Sequence, residues 1–368
     1  VHYPSQLRVM ALRTAEICEE AHLVVNQLMA YTPSYKVEVV ITDFADQANG
    51  WATAKPYPII HLYAVPPPLS GSLGDYDDWL RLLIFHEYSH ILQLDRAEGI
   101  PAFLNAIFGR MLYPNHNIPS FILEGGAVWL ESWTSQRGRI HSPLFKGYLR
   151  SHAVSGRFYG LDAMSHTPGR WPNANIWYLY GGHFMDWIVR KHGTSFIGDF
   201  HENMANELFP FGINRAARQA SGQTLSELYR GWAKELKEET EALLSRKQSL
   251  GITPIRVVTS KASNHGALQY DRTGRLWSLE GGRKAYGLYS RALNGDKPRL
   301  EFEDSQTINF SLCTNPNQLI LSRRTRFRGA YTRNDLFVWN RSLNDLRQVT
   351  HGARVRQPVC SPDGQWAL

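Results

Sequence analysis

The chain has 368 residues, 43% of them hydrophobic and 20% charged, with a formal net charge of +7. That composition excludes a disordered polymer, and no apolar run approaches the roughly 18–20 residues that a bilayer-spanning helix needs. The length favours two domains over one. Basic residues are scattered; the densest run, residues 322–328 (SRRTRFR), lies between strand-like segments and fits a solvated strand face or loop better than a nucleic-acid surface.

In chain order, residues 5–29 carry the apolar period of a helix. Residues 36–44 (KVEVVITDF) read as a β-branched strand, 45–58 as a turn-rich loop, and 59–67 as a second strand closed by three prolines. A long helix follows within residues 75–96, with Asp75 and Asp77 as its cap candidates. Helical patterns dominate from Trp129 to about Gln248, clearest at 176–193 and 224–248, and the latter opens on a capping-box pair, Thr224 and Glu227. Residues 249–254 (SLGITP) read as a linker, which divides the chain into domains 1–250 and 251–368.

Beyond Ile255 the pattern changes to short strands and turns. Segments 270–279, 313–322 and 360–368 recur, and residues 287–296 resemble 335–345. A period in the forties with several strands per unit is a propeller signature. The Ser-Pro-Asp-Gly wording at 361–364 resembles TolB-like, WD-repeat-like propellers. About two blades are expected here, too few for a ring of ~4–8, with the others beyond Leu368. The chain starts at Val1 and stops in a strand-like stretch, so it reads as a fragment or processed form whose lack of a leader says nothing about export. Cys18, Cys313 and Cys360 match no metal spacing and are expected to form neither a disulfide framework nor a zinc ribbon.

The chemistry concentrates in residues 86–90, His-Glu-Tyr-Ser-His. Histidines four apart share a helix face, so His86 and His90 can reach one zinc ion, and Glu87 beside the first can take a proton from a water activated there. The same pentapeptide also arises by chance on a structural helix, and a third ligand decides between the two. The metzincin pattern needs glycine and histidine where Gln93 and Arg96 stand, so that arrangement is excluded.

Residues 118–132 (IPSFILEGGAVWLES) supply an alternative. Glu124-Gly125-Gly126-Ala127 resembles the Glu-Gly-x-Ala element of gluzincin zinc peptidases, and Glu131 repeats that family's acidic residue seven positions on. Over roughly residues 1–250 the chain thus resembles a gluzincin, peptidase-MA-like domain. The resemblance implies an α+β zincin-like (thermolysin-like) fold, mainly helical in its second half, followed by all-β propeller blades. It implies one Zn²⁺ per chain held by His86, His90 and Glu124, with Glu87 as general base. In residues 177–182 (WYLYGG) it implies Tyr178 as oxyanion donor, with Tyr180 and His183 as rivals. Glu131 is either an orienter of a ligand histidine or a surface carboxylate.

Residues 99–112 form either a helix walling the cleft or a packed insertion. The Gly-x-Met-Glu-Asn element that holds a free amine in aminopeptidases is missing, and residues 48–64 could instead pair with an extended peptide. The expected function is zinc-dependent endopeptidase cleavage of a peptide or protein substrate. The alternatives are a degenerate scaffold that binds a protein partner through the propeller, or hydrolysis of a non-peptide substrate. Nucleic acid is not an expected partner. Resemblance to exported bacterial propeller proteins implies a periplasmic or extracellular setting.

Overall fold

The computed structural model describes residues 1–68, 73–169, 171–209, 211–255, 257–258, 264–282, 284–293 and 297–367. The chain divides into two compact units: Val1–Asp43 with Gln47–Ile252, and Phe44–Asp46 with Thr253–Leu368.

The first unit begins with α1 (Arg8–Met29), whose buried residues Ala11, Thr14, Ile17, Ala21, Val25 and Met29 fall at helical spacing and form one core stripe. Strands β1 (Glu38–Thr42), β2 (Gly50–Thr53) and β3 (Ile59–Tyr63) make one sheet in the order β1-β3-β2. β1 runs parallel to β3, and β2 antiparallel to it. β2 lies in the segment read from sequence as a loop. Its four residues are too few for an alternation to show, and its central Trp51 is exposed.

The helix α2 (Trp79–Asp95) is capped by Asp78, whose side chain accepts from the Arg81 amide at 3.1 Å, and not by the expected Asp75 or Asp77. Asp77 instead accepts from the Asp78 amide. Thirteen of its seventeen residues are buried because α1, α4 and β2 cover it on several sides, which explains its near-continuous apolar sequence. Helices α3 (Gly99–Phe108), α4 (Ser120–Trp133), α5 (Pro143–Val154), α6 (Leu161–Met164), α7 (Ile176–His192), α8 (Ser195–Ala205), α9 (Ile213–Ser221) and α10 (Leu225–Ser249) complete the unit. The capping box at Thr224 and Glu227 is formed.

In α3 only Pro101 is buried, and Ile100, Phe103, Ile107 and Phe108 are exposed. It is neither a packed insertion nor a wall of the cleft described below.

The second unit holds two four-stranded antiparallel meanders. One is β4 (Asn264–Tyr270), β5 (Leu276–Gly281), β6 (Gly287–Arg291) and β7 (Arg299–Glu303); the other is β8 (Thr307–Leu312), β9 (Gln318–Phe327), β10 (Tyr331–Asn340) and β11 (Asp345–Gln348). They share a core of Trp277, Leu279, Leu288, Phe310, Leu319, Leu321, Phe337 and Trp339. The arginine-rich run lies on β9 and its turn, where exposed Arg324 and Arg326 alternate with partly buried neighbours.

The expected fold class is therefore corrected. Among the described residues the chain is mixed α/β, with ten α-helices in the first 250 residues and then sheets. There are three separate sheets, and none closes into a ring. The repeat marks the turn between the first and second strands of each meander, with Gly274 before β5 and Asn317 before β9. Four strands satisfy that period by themselves, so it says nothing about closure. Residues 294–296 of the second repeated element, and Leu368 at the end of the third copy of the first, lie outside the described residues.

The cysteine expectation is corrected too. Cys313 and Cys360 form a disulfide with Cα atoms 5.3 Å apart. Sequence spacing hides the pair because it bridges equivalent points of successive repeats, 47 residues apart.

Candidate metal centre

Helices α2, α4 and α7 bring the site together. His86 and His90 project from one face of α2 with ring centroids 4.9 Å apart. Glu124 of α4 places Oε2 3.3 Å from the Nε2 atom of each histidine. One ligand atom from each of these three residues lies within 4.8 Å of the others, so the triad could hold a metal ion.

The close packing of α4 against α7 depends on glycine. A Cβ on Gly125 would stand 2.5 Å from the Gly181 carbonyl group, so the two backbones touch at this crossing. That contact accounts for the glycines following Glu124 and Tyr180, and it sets Tyr178 beside the triad.

The surroundings of His86 Nδ1 set its tautomer. Nδ1 lies 2.9 Å from Glu131 Oε2, which can only accept, and 3.0 Å from Arg139 Nη2, which already donates to that same oxygen at 2.6 Å. A proton on Nδ1 serves the carboxylate and turns Nε2 to the triad. Glu131 is fully buried, and Arg139 donates to it through Nε at 2.8 Å and Nη2 at 2.6 Å. Burial opposes the Glu131 charge, but the Arg139 guanidinium more than offsets this and holds the carboxyl at about 2.

A lone pair facing a carboxylate needs a positive charge between them. Burial lowers the His86 pKa, yet hydrogen bonds to Glu124 and Glu131 outweigh that and bring it to about 9. The Glu124 carboxyl is held far below its ordinary range, because the charge of His90 and hydrogen bonds from both histidines overcome its burial. A proton or a metal cation meets this demand, and two imidazole nitrogens with one carboxylate oxygen form a donor set that zinc accepts.

The triad opens on a cleft of about 440 Å³ that Glu87, Arg139 and Tyr178 also line. Glu87 is buried and is not part of the triad; burial pushes its carboxyl upward although the histidines pull it down. β2 crosses directly above it, and a Cβ on Gly50 would stand 3.0 Å from Glu87 Oε1. The Tyr178 ring lies 6.3 Å from that of His86, with the Arg139 guanidinium 4.7 Å from its centre. Burial raises the phenol's pKa and the charge of Glu124 raises it further, so Tyr178 stays protonated as a donor.

The two rivals of Tyr178 lie elsewhere. Tyr180 is fully buried, bonds His152 Nδ1 at 2.7 Å and packs against Phe158 and Trp232. His183 donates from Nδ1 to the Leu179 carbonyl at 2.9 Å, and burial lowers its pKa to about 4. Neither lines the cleft.

Arg139 escaped the sequence reading. The signal available was a buried acid in need of a cation, but Glu131 does not declare its burial in sequence.

No protein-family model and no curated protein matches the chain. No helix among the described residues is long and apolar enough to cross a membrane.

Proposed function

We propose that the first unit is a zinc-dependent peptide hydrolase of gluzincin type, acting as an endopeptidase. The observation that carries the reading is the convergence of two imidazole Nε2 atoms and the Glu124 carboxylate on one point of an open cleft, with Glu87 beside them and outside the triad.

His86, His90 and Glu124 would hold the ion, whose contribution is Lewis acidity: acidifying water and polarising a carbonyl. Glu87, with its pKa raised by burial, accepts a proton from the attacking water and returns it to the departing amine. The Tyr178 hydroxyl donates to the oxygen on which negative charge develops. Glu131 and Arg139 keep His86 in the tautomer that leaves Nε2 free.

The substrate class follows from β2. This strand ends its sheet, and residues 49–52 line the cleft, so its main chain can pair with an extended peptide. Among the described residues the carboxylates lining the cleft are Glu87 and Glu124, both already assigned, which leaves no other there to hold a free amino terminus. Internal peptide bonds fit better than terminal ones. The Cys313–Cys360 pairing favours a periplasmic or extracellular setting, where disulfides persist.

Glu87→Gln tests this reading. We expect one zinc per chain to remain while cleavage of an unstructured protein substrate falls about 10²–10⁴-fold. Unchanged cleavage by the variant would refute it.

A further inference from the structure

The two histidines share a helix face, but their outer partners differ in kind. Behind His90 stands Gln93, 1% exposed, whose Oε1 lies 2.9 Å from His90 Nδ1. Its Nε2 donates to the Leu123 carbonyl at 3.2 Å, on the residue before Glu124. A carbonyl only accepts, so the amide can make both bonds in one orientation, with its oxygen toward the imidazole. That orientation requires the proton on His90 Nδ1 and leaves Nε2 free for the triad. Asn115 holds the same residue from behind, donating to the Gln93 backbone carbonyl at 2.8 Å.

The amide fits between α2 and α4 because residue 126 has no side chain. A Cβ on Gly126 would stand 2.8 Å from Gln93 Nε2.

We propose that Gln93 is the positioning residue of the metal centre, and that Gly126 is glycine in order to admit it. One amide sets the tautomer and ring angle of His90 while gripping the backbone that carries Glu124. It thereby couples the second ligand to the third. This rests on the metal reading of the triad and adds two residues that the ligand pattern does not name.

The test is zinc affinity by chelator competition, with melting of the metal-free protein measured alongside. Q93M and Q93E both lose the donation to Leu123, so any shared loss of fold stability appears in both. Only Q93E keeps an acceptor for His90 Nδ1. We expect Q93M to weaken zinc binding about 10–100-fold and Q93E to stay close to wild type. G126A should weaken binding in the wild-type background and add little in Q93A, since the clash it creates is with the amide.

Equal affinity in Q93M and wild type would overturn the proposal, as would an equal loss in Q93M and Q93E, which would make Gln93 a packing residue. A wild-type protein that takes up no zinc would overturn the metal reading itself and this inference with it. That result differs from wild-type uptake that is insensitive to Gln93.

Discussion

Both units of the chain bury charge, but they do so to different ends. In the sheet unit Glu280 is fully buried on β5, where Arg291, Lys284 and Ser278 all donate to it. Asp335 on β10 is nearly as buried and accepts from Thr325, Thr350 and the Ala353 amide. Each carboxylate is quenched by its neighbours. In the helical unit Glu131 is equally buried and equally paired, yet its partners His86 and Arg139 both border an open cleft. Burying a charge is expensive in either place, so its occurrence alone does not mark a site. The distinguishing feature is that the network ends on lone pairs facing a cavity.

The largest expected effect separates the two networks directly. Arg139→Met leaves Glu131 buried without its cation and should destabilise the helical unit by about 3–5 kcal/mol in denaturant unfolding. E280Q should have an effect of the same order on the sheet unit, since it strips Arg291 of its carboxylate. Zinc affinity should fall in R139M and hold in E280Q. If it held in both, the link from Arg139 through Glu131 to His86 would be broken.

Next comes the contrast within one helix. Y178F should lower kcat about 10²-fold with little change in KM, as loss of an oxyanion donor does. Y180F removes a hydroxyl bonded to His152 and should leave kcat near wild type. The reverse result would move the donor role to Tyr180.

A smaller effect comes from acid. Burial lowers the pKa of His183 to about 4 and of His201 to about 3, against about 6.5 when unfolded. Their neutral forms therefore contribute stability that is present above pH 6.5 and lost as pH falls toward those values. Between pH 6.5 and 4.5 each should cost the helical unit on the order of 1 kcal/mol per pH unit. Unfolding of wild type and H183L over that window measures the share of His183. The smallest effect belongs to the solvated face of α10, where the Lys237–Glu241 pair is exposed on both sides. K237A should change stability by no more than about 0.5 kcal/mol.

Sequence exposes the triad more readily than what supports it. His86, His90 and Glu124 can be read in one dimension because helical spacing ties two together and a short motif marks the third. Gln93 is visible only as a residue that breaks another pattern, since its partner at Leu123 belongs to a different helix. Arg139 pairs with Glu131 across a turn, and no local periodicity encodes that. β2 was missed because four residues under an exposed tryptophan give no alternation. The propeller expectation failed for the opposite reason: the repeat is a genuine local signal, but ring closure is a global property.

The glycine crossing of α4 and α7 has a mechanical consequence. Where backbone meets backbone, at Gly125 and Gly181, no side chains intervene that could change rotamer and let one helix slide along the other. Glu124 and Tyr178 therefore ride on a single stiff jaw. The opposing jaw is the short edge strand above Glu87, held to its sheet along one side only. Any widening of the cleft falls to that strand, while the spacing between Glu124 and the Tyr178 phenol is held by the crossing.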